Sequence, residues 1–464
     1  MARRIDPRAV FNRVALLAML LFALPVTARA QPSGGNLLGP AWGVRPWLNQ
    51  YGVTFGLSET GEVFGNATGG LHRGATYDGL TEASVGVDLA RAFGLQGGIF
   101  NVSAFQIHGR SLSQDNLDNI NTISGIEASR ATRLWELWYD QQFADGQFDT
   151  KIGLQSLDQE FITSPSAGLF ANTMFGWPAL PSYDMYAGGP AYPLSSLGVR
   201  GRANLGRFTV LGGVFDDNPG GGPFENDPQP ANGGSEIFNL KTGALMIAEI
   251  DYALNSPVSG EMASDDASPG LPGLYKLGAW FDSANFPDLR YDDRHRPFSS
   301  PDSDGNPLMR RHNFAVYGVV DQMIWRPNPN KARSISVFTR LMGAPGDRNL
   351  VDFAGNLGLA LHEPLEGRSA DSLVFGGGFT KLARNATEAS RSAQDFAGPG
   401  VYSPIRTSES YLELAYQYFP VAWLLLQPDL QYVFTPGGGI ANSSRPDRRI
   451  SNEFVAGLRF NVSF

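Results

Sequence analysis

The last thirteen residues, Asn452–Phe464, alternate apolar and polar side chains and end on an aromatic residue. Successive side chains of a strand point to opposite faces, so this pattern predicts a strand with one apolar and one mostly polar face. Arg459 and Asn461 lie on the polar face. The apolar face carries Phe454, Ala456, Leu458, Phe460, Val462 and Phe464. A soluble sheet alternates as well, but a terminal aromatic at the chain end is typical of the closing strand of an outer-membrane β-barrel.

Segments of the same kind recur along the chain, separated by turn signals. The clearest hairpin has Ala144-Asp145-Gly146 as its turn, since Asp-Gly favours a tight turn. The strands predicted before the terminal one are Gly52–Glu62, Thr81–Ala90, Gly97–Gly109, Arg133–Phe143, Gln147–Gln155, Ser196–Ala203, Arg207–Phe215, Ala244–Tyr252, Leu274–Asp282, Phe314–Trp325, Ser334–Leu341, Ser372–Thr380, Tyr411–Phe419 and Trp423–Phe434.

The gaps between these strands are either a few residues long or long and rich in Gly, Pro, Asn and Asp. Short turns on one rim and long loops on the other are expected of an outer-membrane barrel. A soluble β-sandwich, which is the alternative, rarely needs so many long loops. The long gaps are Asp216–Ser235, Asn255–Gly273, Ser283–Arg311 and Ala383–Ser408.

The gap Ser164–Leu194 is long but rich in Phe, Tyr, Trp and Pro. A solvated loop would not carry so many aromatic residues. The segment either caps a small cluster of its own or folds into the barrel mouth and narrows it, and the sequence leaves both alternatives open.

The N-terminal segment determines how the chain divides into domains. Met1–Ala30 has a basic start, an apolar core and Ala28-Arg29-Ala30 before Gln31, which predicts a secretory signal cleaved near Ala30. The apolar core, Val14–Val26, is too short to span a bilayer, which takes about 20 apolar residues. Residues 31–50 are expected to form a short helix or a plug, and residues 51–464 a single barrel domain.

Composition excludes several classes of function. Removal of Met1–Ala30 takes away five arginines and one aspartate, which leaves 31 basic and 44 acidic residues and a net charge of −13. This balance gives no footprint for nucleic-acid binding. The chain has no cysteine, so it has neither disulfides nor Cys-based metal or redox chemistry, and we expect no cofactor and no metal. Beyond the signal, no apolar run reaches 18 residues, which argues against an α-helical membrane protein.

Alternation also sorts side chains between lipid and lumen, because a charge on the lipid face costs up to about 2–4 kcal/mol at mid-membrane. In Arg133–Phe143, for example, Trp135 is predicted to face lipid, whereas Glu136 and Trp138 face the lumen. The predicted lumen mixes acids, bases, amides and aromatics. Such groups can bond the hydroxyls of a sugar and stack on its C–H faces. A general or ion-selective pore reuses the same side chains, however, so alternation alone does not establish selectivity for sugars.

A barrel enzyme is the other alternative. It would need a Ser/His or Asp/His pair on the outer wall or rim, and His72 and His362-Glu363 are the candidates. No G-x-S-x-G motif occurs in a strand–turn–helix context, and we therefore expect no catalytic residue.

Several segments resemble the carbohydrate-selective porins of the OprB type. Ser336–Asn349 resembles that family's F-x-R…P-x-D-R-N stretch, and Gly367-Arg368 with Asp371 resembles its G-R-x-x-D step. Glu409–Gly438 resembles its E-x-x-x-E…Q-P-D-L-Q-Y…P-G-G block. Upstream, the similar positions are Asn66 with Gly69-Gly70, the strand that holds Asp88, and Glu136-Leu137-Trp138.

The resemblance implies a barrel of about 16 strands in the outer membrane of a Gram-negative bacterium. It also implies passive diffusion of monosaccharides, such as glucose, or of small oligosaccharides. The expected partners are carbohydrate solutes and outer-membrane lipid, with a homo-oligomer as a further possibility. The residues predicted to line the pore and bind substrate are Arg340, Glu413, Gln427, Asp429, Gln431, Glu136, Trp138, Lys151, Arg200, Arg202 and Phe338.

Overall fold

The chain folds into a closed antiparallel barrel of sixteen strands, which confirms the predicted all-β architecture. The computed structural model describes residues 35–221, 228–235, 240–255, 270–328 and 331–464, so the predicted signal Met1–Ala30 lies outside the described residues. The barrel strands are β1 Val53–Thr68, β2 Gly74–Asp88, β3 Gly98–Gly109, β4 Ala131–Phe143, β5 Phe148–Gln155, β6 Ser196–Leu205, β7 Phe208–Asp216, β8 Ala244–Leu254, β9 Gly273–Asp292, β10 Pro307–Trp325, β11 Ser334–Gly343, β12 Val351–His362, β13 Ser372–Leu382, β14 Ser408–Val421, β15 Leu424–Phe434 and β18 Glu453–Ser463. Between the last two, β16 Ala441–Asn442 and β17 Arg445–Arg449 form a separate two-stranded sheet.

The C-terminal strand β18 closes the barrel by pairing with β1 on one side and β15 on the other. Its faces are those that the sequence predicts. Val455 is buried inside the barrel, whereas Leu458 is exposed on the outer wall. Arg459 points inward and forms an ion pair with Glu62 of β1, so the seam of the barrel is closed by charge as well as by backbone hydrogen bonds.

One strand, β12, is absent from the sequence prediction. Its inward face is built from small residues, including Ala354, Gly358 and Ala360, so the contrast between the two faces is weak. Gly358 has a reason to be small: a Cβ there would lie 2.6 Å from Cε1 of Phe338. The missing side chain makes room for aromatic rings inside the barrel.

The prediction that Trp135 faces lipid is wrong. The pairing of β3 with β4 shifts by one residue between Ser103/Glu136 and Ala104/Leu134, which leaves Trp135 in a β-bulge. Its ring is buried and stacks on Phe105, with ring centroids 4.2 Å apart.

Two of the predicted long loops differ from the structure. Ser283–Arg311 is not a loop throughout, because β9 continues to Asp292 and β10 begins at Pro307. Asn255–Gly273 joins β8 to β9, which places it on the rim of the short turns 144–147 and 206–207. Most of that segment, residues 256–269, lies outside the described residues.

Helices are short and lie in the connections: α1 Val44–Gln50, α2 Leu89–Phe93, α3 Thr173–Gly176, α4 Ala179–Asp184, α5 Pro228–Ala231 and α6 Arg384–Asp395. The first of these, α1, lies within residues 31–50, for which the sequence predicts a short helix or a plug. Arg45 donates a hydrogen bond to the carbonyl of Phe464 and stacks on Phe55, so α1 packs on the short-turn rim.

Within the described part of the chain, no helix is long and apolar enough to cross a bilayer.

Candidate pore constriction

The connection between β5 and β6, residues 156–195, folds into the barrel; we name it loop L3. Its aromatic residues join the central hydrophobic cluster together with side chains of the barrel wall. Phe170 stacks on Phe175 with centroids 4.0 Å apart, and both meet the ring of Phe338 edge-on, at 5.6 and 5.7 Å. Of the two alternatives for Ser164–Leu194, the structure shows the loop that narrows the barrel.

Inward-facing carboxylates of the wall hold the backbone of L3. Glu249 of β8 accepts from the amide of Ile162 at 2.8 Å. Asp321 of β10 accepts from the amide and hydroxyl of Ser166, both at 2.8 Å. Glu413 of β14 accepts from the amides of Ala171 at 2.6 Å and Asn172 at 3.0 Å. Because charge-assisted bonds to backbone donors are among the strongest hydrogen bonds in proteins, these contacts fix the path of L3 across the lumen.

Arg340 of β11 is the main cationic anchor. Its guanidinium donates to the carbonyls of Met174 at 2.6 Å, Gly176 at 2.8 Å and Ile162 at 3.2 Å, and to Oδ1 of Asn356 at 3.1 Å. The residue is only 1% exposed. Three of its hydrogen bonds are therefore directed at the backbone of L3.

The amides of β15 anchor L3 and a second inward-folded connection, residues 110–130, which we name L2. Gln427 donates to the carbonyl of Leu169 at 3.2 Å. Gln431 donates to the carbonyl of Ile123 in L2 at 2.9 Å and to Asp429 at 3.0 Å, and it accepts from Asn172 at 2.9 Å.

Six of the residues that the sequence predicts to line the pore are covered by these loops: Arg340, Glu413, Gln427, Asp429, Gln431 and Phe338. All six face inward, and all are almost fully buried beneath L2 and L3. Phe338 is fully buried and packs in edge contacts with Phe170 and Phe175, so its ring has no face open to a sugar. Sequence alternation gives the direction of each side chain, but it cannot show that a loop lies on top of it.

The other predicted basic residues form a charged cluster on β5 and β6. Arg200 binds Glu160 of L3 through Nε at 2.7 Å and Nη2 at 2.9 Å, and it also pairs with Asp149. Arg202 binds the second oxygen of Asp149 at 2.7 Å, and Lys151 pairs with Glu160. The Arg202 side chain remains 33% exposed and that of Glu160 18% exposed, so this cluster still meets the solvent of the lumen.

Trp138 and Glu136 of β4 flank this cluster. The Lys151 ammonium lies 4.6 Å from the Trp138 ring centroid, a cation–π contact. The Trp138 indole donates to Oε2 of Glu136 at 3.1 Å, and the amide of Ser156 at the start of L3 donates to the other oxygen at 3.3 Å. Both side chains are half-buried. An aromatic ring, a carboxylate and three cations therefore lie together beside L3.

Glu160 is a member of this cluster that the sequence reasoning missed. Burial opposes its ionisation, but the charges of Lys151 and Arg200 and their hydrogen bonds lower the pKa of Glu160 to about 2. A signal was available, since three predicted inward bases on β5 and β6 need acidic partners, and Glu160 follows β5 closely.

Charges of both signs continue around the lumen. On β9, Lys276 pairs with Glu249 at 2.9 Å and Asp251 at 3.4 Å, and it donates to Thr163 of L3 at 3.0 Å. Among the described residues, no group of three His, Asp or Glu side chains is arranged to hold a metal ion.

His72 and His362 are the histidines on which an enzyme would depend. His72 lies on the long-loop rim, where its Nε2 is 3.4 Å from the Ser444 hydroxyl, but none of its described ring contacts is with a carboxylate. His108 lies on the outer wall, where Nε2 contacts Glu59 at 3.3 Å and the Tyr77 hydroxyl at 3.1 Å, while Nδ1 contacts Gln106 at 2.9 Å. Both ring nitrogens of His108 are therefore engaged, and neither contacts a serine or threonine hydroxyl. His362 lies 3.1 Å from the Ser372 hydroxyl, but Ser372 is buried on the inner face.

A closed sixteen-stranded barrel with a polar lumen narrowed by an inward-folded loop defines the protein as a porin. Residues 72–464 match the family described as carbohydrate-selective porin, OprB family, and the chain belongs to that family. The protein is accordingly an outer-membrane carbohydrate porin, as the sequence resemblance implied.

Individual relatives agree with this assignment. The chain is 25% identical to Porin B of Pseudomonas aeruginosa over 450 residues, which cover 93% of this chain and 92% of that protein. The high-pH structure of Pseudomonas putida OprB superposes with a TM-score of 0.78 at 23% identity, over 94% of this chain and 100% of that one. The low-pH structure of the same porin gives 0.55 at 18% identity, over 92% and 98%. These structures share the fold.

Proposed function

We propose that solutes pass beside L3, along the cluster of Trp138, Glu136, Lys151, Arg202 and Glu160. In this part of the predicted site Trp138 and Glu136 are only half-buried and the Arg202 side chain is 33% exposed, and this partial exposure is the observation that carries the proposal. Carboxylates and cations can exchange hydrogen bonds with sugar hydroxyls, and the indole ring can stack on a sugar's C–H face.

The substrates we infer are monosaccharides such as glucose and small oligosaccharides, moving by passive diffusion. A channel of this kind must bind its solute well enough to favour entry and weakly enough to allow exit. Hydrogen-bonding groups that are already paired with one another, such as Lys151 with Glu160, suit this requirement because a sugar exchanges bonds there instead of gaining them outright.

The alternative of a general or ion-selective porin predicts one sign of charge at the constriction. The cluster instead alternates Asp149, Arg200, Glu160 and Lys151, which favours a neutral polar solute. An enzymatic role has weaker support, because none of the rings of His72, His108 and His362 combines a serine hydroxyl with a carboxylate among its described contacts.

Titration of single channels with glucose tests the sugar site. Purified protein is inserted into a planar bilayer, and the ionic current is recorded while glucose is added. A saturable fall in current is expected, since a bound sugar displaces conducting water and ions from the narrow part. A current that falls only in proportion to bulk viscosity, and equally with a non-sugar polyol of the same size, would contradict a sugar site.

Four further properties remain proposals. The signal Met1–Ala30 is cleaved near Ala30 during export, on the strength of its residue pattern. The barrel works in contact with outer-membrane lipid and requires no cofactor. Assembly into a homo-oligomer stays a prediction, because outward aromatic side chains suit a lipid interface and a subunit interface equally well.

A further inference from the structure

A pocket of about 560 Å³ lies on the long-loop rim. It forms where the β9–β10 hairpin, the connection 344–350 and the start of α6 meet. Its wall includes the side chains of Arg290, Phe314, Asp347, Arg348, Asp352 and Arg384.

The height of this pocket on the barrel is set by an outward row of phenylalanines. Phe281 and Phe314 pair across β9 and β10, and the rings of Phe353 and Phe379 lie 6.5 Å apart on β12 and β13. All four are exposed on the outer wall. Aromatic girdles mark the membrane interface of outer-membrane barrels, and Phe314 is itself part of the pocket wall. The pocket therefore sits directly above the apolar belt, at the level of lipid headgroups on the long-loop side.

Most charges in the pocket neutralise one another. Arg348 binds Asp347 at 2.8 and 3.1 Å, and its Nη1 donates to the carbonyls of Arg311 and His312. Asp352 is held by Lys381 at 2.7 and 2.8 Å. The two acids in the pocket are thus already engaged by bases.

Two guanidiniums remain available. The Arg384 side chain is exposed and has no hydrogen bond or ion pair among the residues that the structure describes. Arg290 makes one long contact, 3.6 Å to Glu388, while its Nε is buried without a hydrogen-bond partner. The Arg290 guanidinium also lies 4.9 Å from the ring centroid of Tyr291, which limits where it can move. Two such groups facing one pocket, in a chain of net negative charge, form a local anion site.

We propose that this pocket binds a phosphate group of an outer-leaflet glycolipid, with Arg290 and Arg384 as its ligands. Arginine forks match the geometry of phosphate oxygens, and the phenylalanine girdle below would contact the acyl chains of the same lipid. The site differs from the sugar path, because its wall contains Phe314 of the outer face of the barrel and no residue of L3.

Native mass spectrometry with lipid A tests the proposal, using the whole protein released from detergent. The probes are bisphosphorylated lipid A, its dephosphorylated form and inorganic phosphate. The test variant is Arg290→Gln/Arg384→Gln, and the control is Arg445→Gln/Arg448→Gln, which removes two exposed arginines from another loop of the same rim. We expect the test variant to bind bisphosphorylated lipid A about 30-fold more weakly, since each cation near a membrane surface contributes about 1 kcal/mol. The control variant should bind like the unmodified protein.

Three results would overturn the proposal. The first is equal binding of phosphorylated and dephosphorylated lipid A by the unmodified protein. The second is undiminished binding by the test variant while its single-channel current, which reports a folded barrel, remains normal. The third is displacement of the lipid by inorganic phosphate at similar concentration, which would show a site for soluble phosphate. Partial recovery of binding by Arg290→Lys/Arg384→Lys would support it, because lysine keeps the charge without the fork.

Discussion

At the scale of the residue, an inward-facing arginine either anchors L3 or lines the lumen, and the path of L3 decides which of the two roles it has. Arg340 lies under the loop, and its guanidinium donates hydrogen bonds to backbone carbonyls of L3 at 2.6–3.2 Å. Arg202 lies beside the loop and keeps a third of its side chain in solvent. Both residues face inward on their strands, so period-two alternation predicts them equally well, and only the loop distinguishes an anchor from a lining residue.

Trp138 is the aromatic side chain on the proposed sugar path. Trp138→Ala should weaken glucose binding by about two- to tenfold, because an aromatic contact contributes about 0.5–1.5 kcal/mol. Trp138→Phe, which keeps a ring, should lose less. The measurement is the glucose concentration that halves the sugar-dependent fall in single-channel current. Trp325→Ala serves as the control, since Trp325 is exposed at the end of β10. An unchanged affinity in Trp138→Ala would remove Trp138 from the sugar path.

At the scale of the element, L3 is held by groups that come from far along the chain. Its segment Ile162–Gly176 is bonded by Glu249, Asp321, Arg340 and Glu413. The richness of Ser164–Leu194 in aromatic residues was visible in the sequence, and so were the inward directions of the wall residues. Their mutual contact was not, because nothing local relates Arg340 to a loop more than 150 residues earlier.

Gly358, an inward glycine of β12, allows the packing of L3 against the barrel wall to be tested. Gly358→Val should push Phe338 and Phe170 aside, since a Cβ there already lies 2.6 Å from Phe338 and 3.1 Å from Phe170. We expect a fall of about 1–3 kcal/mol in the free energy of unfolding, measured by urea titration in lipid vesicles, together with an altered conductance. Gly201→Val is the matched control, because a Cβ at Gly201 meets nothing within 4 Å. Equal effects of the two substitutions would contradict the proposed packing.

The Glu160 ion pairs predict a dependence on pH. Its pKa is about 2 in the folded protein against an ordinary 4.5, so its stabilising contribution is complete above about pH 4.5 and is lost as the pH falls towards 2. The contribution is about 3 kcal/mol at most, by the free energy of each pKa unit. Urea titrations at pH 5.5 and pH 3 should show a smaller difference in Glu160→Gln than in the unmodified protein. As a control, Glu366→Gln removes a carboxylate from an exposed turn and should leave the difference unchanged. If Glu160→Gln keeps the full difference, Glu160 is not the group that titrates.

At the scale of the whole molecule, alternation, turn signals and a terminal aromatic were sufficient to predict the barrel. The errors arose where a local rule is broken by packing: the bulge at Trp135, the small inward face of β12 and the continuation of β9 to Asp292. Each is set by contacts between strands or with L3, which a single segment does not reveal. The family was identified from combined motifs, several of which now prove to be anchors of L2 and L3, such as Glu409, Glu413 and Gln431.

The lining of mixed charge at the constriction is proposed to select neutral sugars. Swelling of liposomes that contain the purified porin tests it most directly, with a panel of glucose, other monosaccharides, size-matched amino acids and salts. We expect faster swelling with glucose than with amino acids of the same size. Equal rates for sugars and for size-matched amino acids or ions would contradict selectivity and define a general porin.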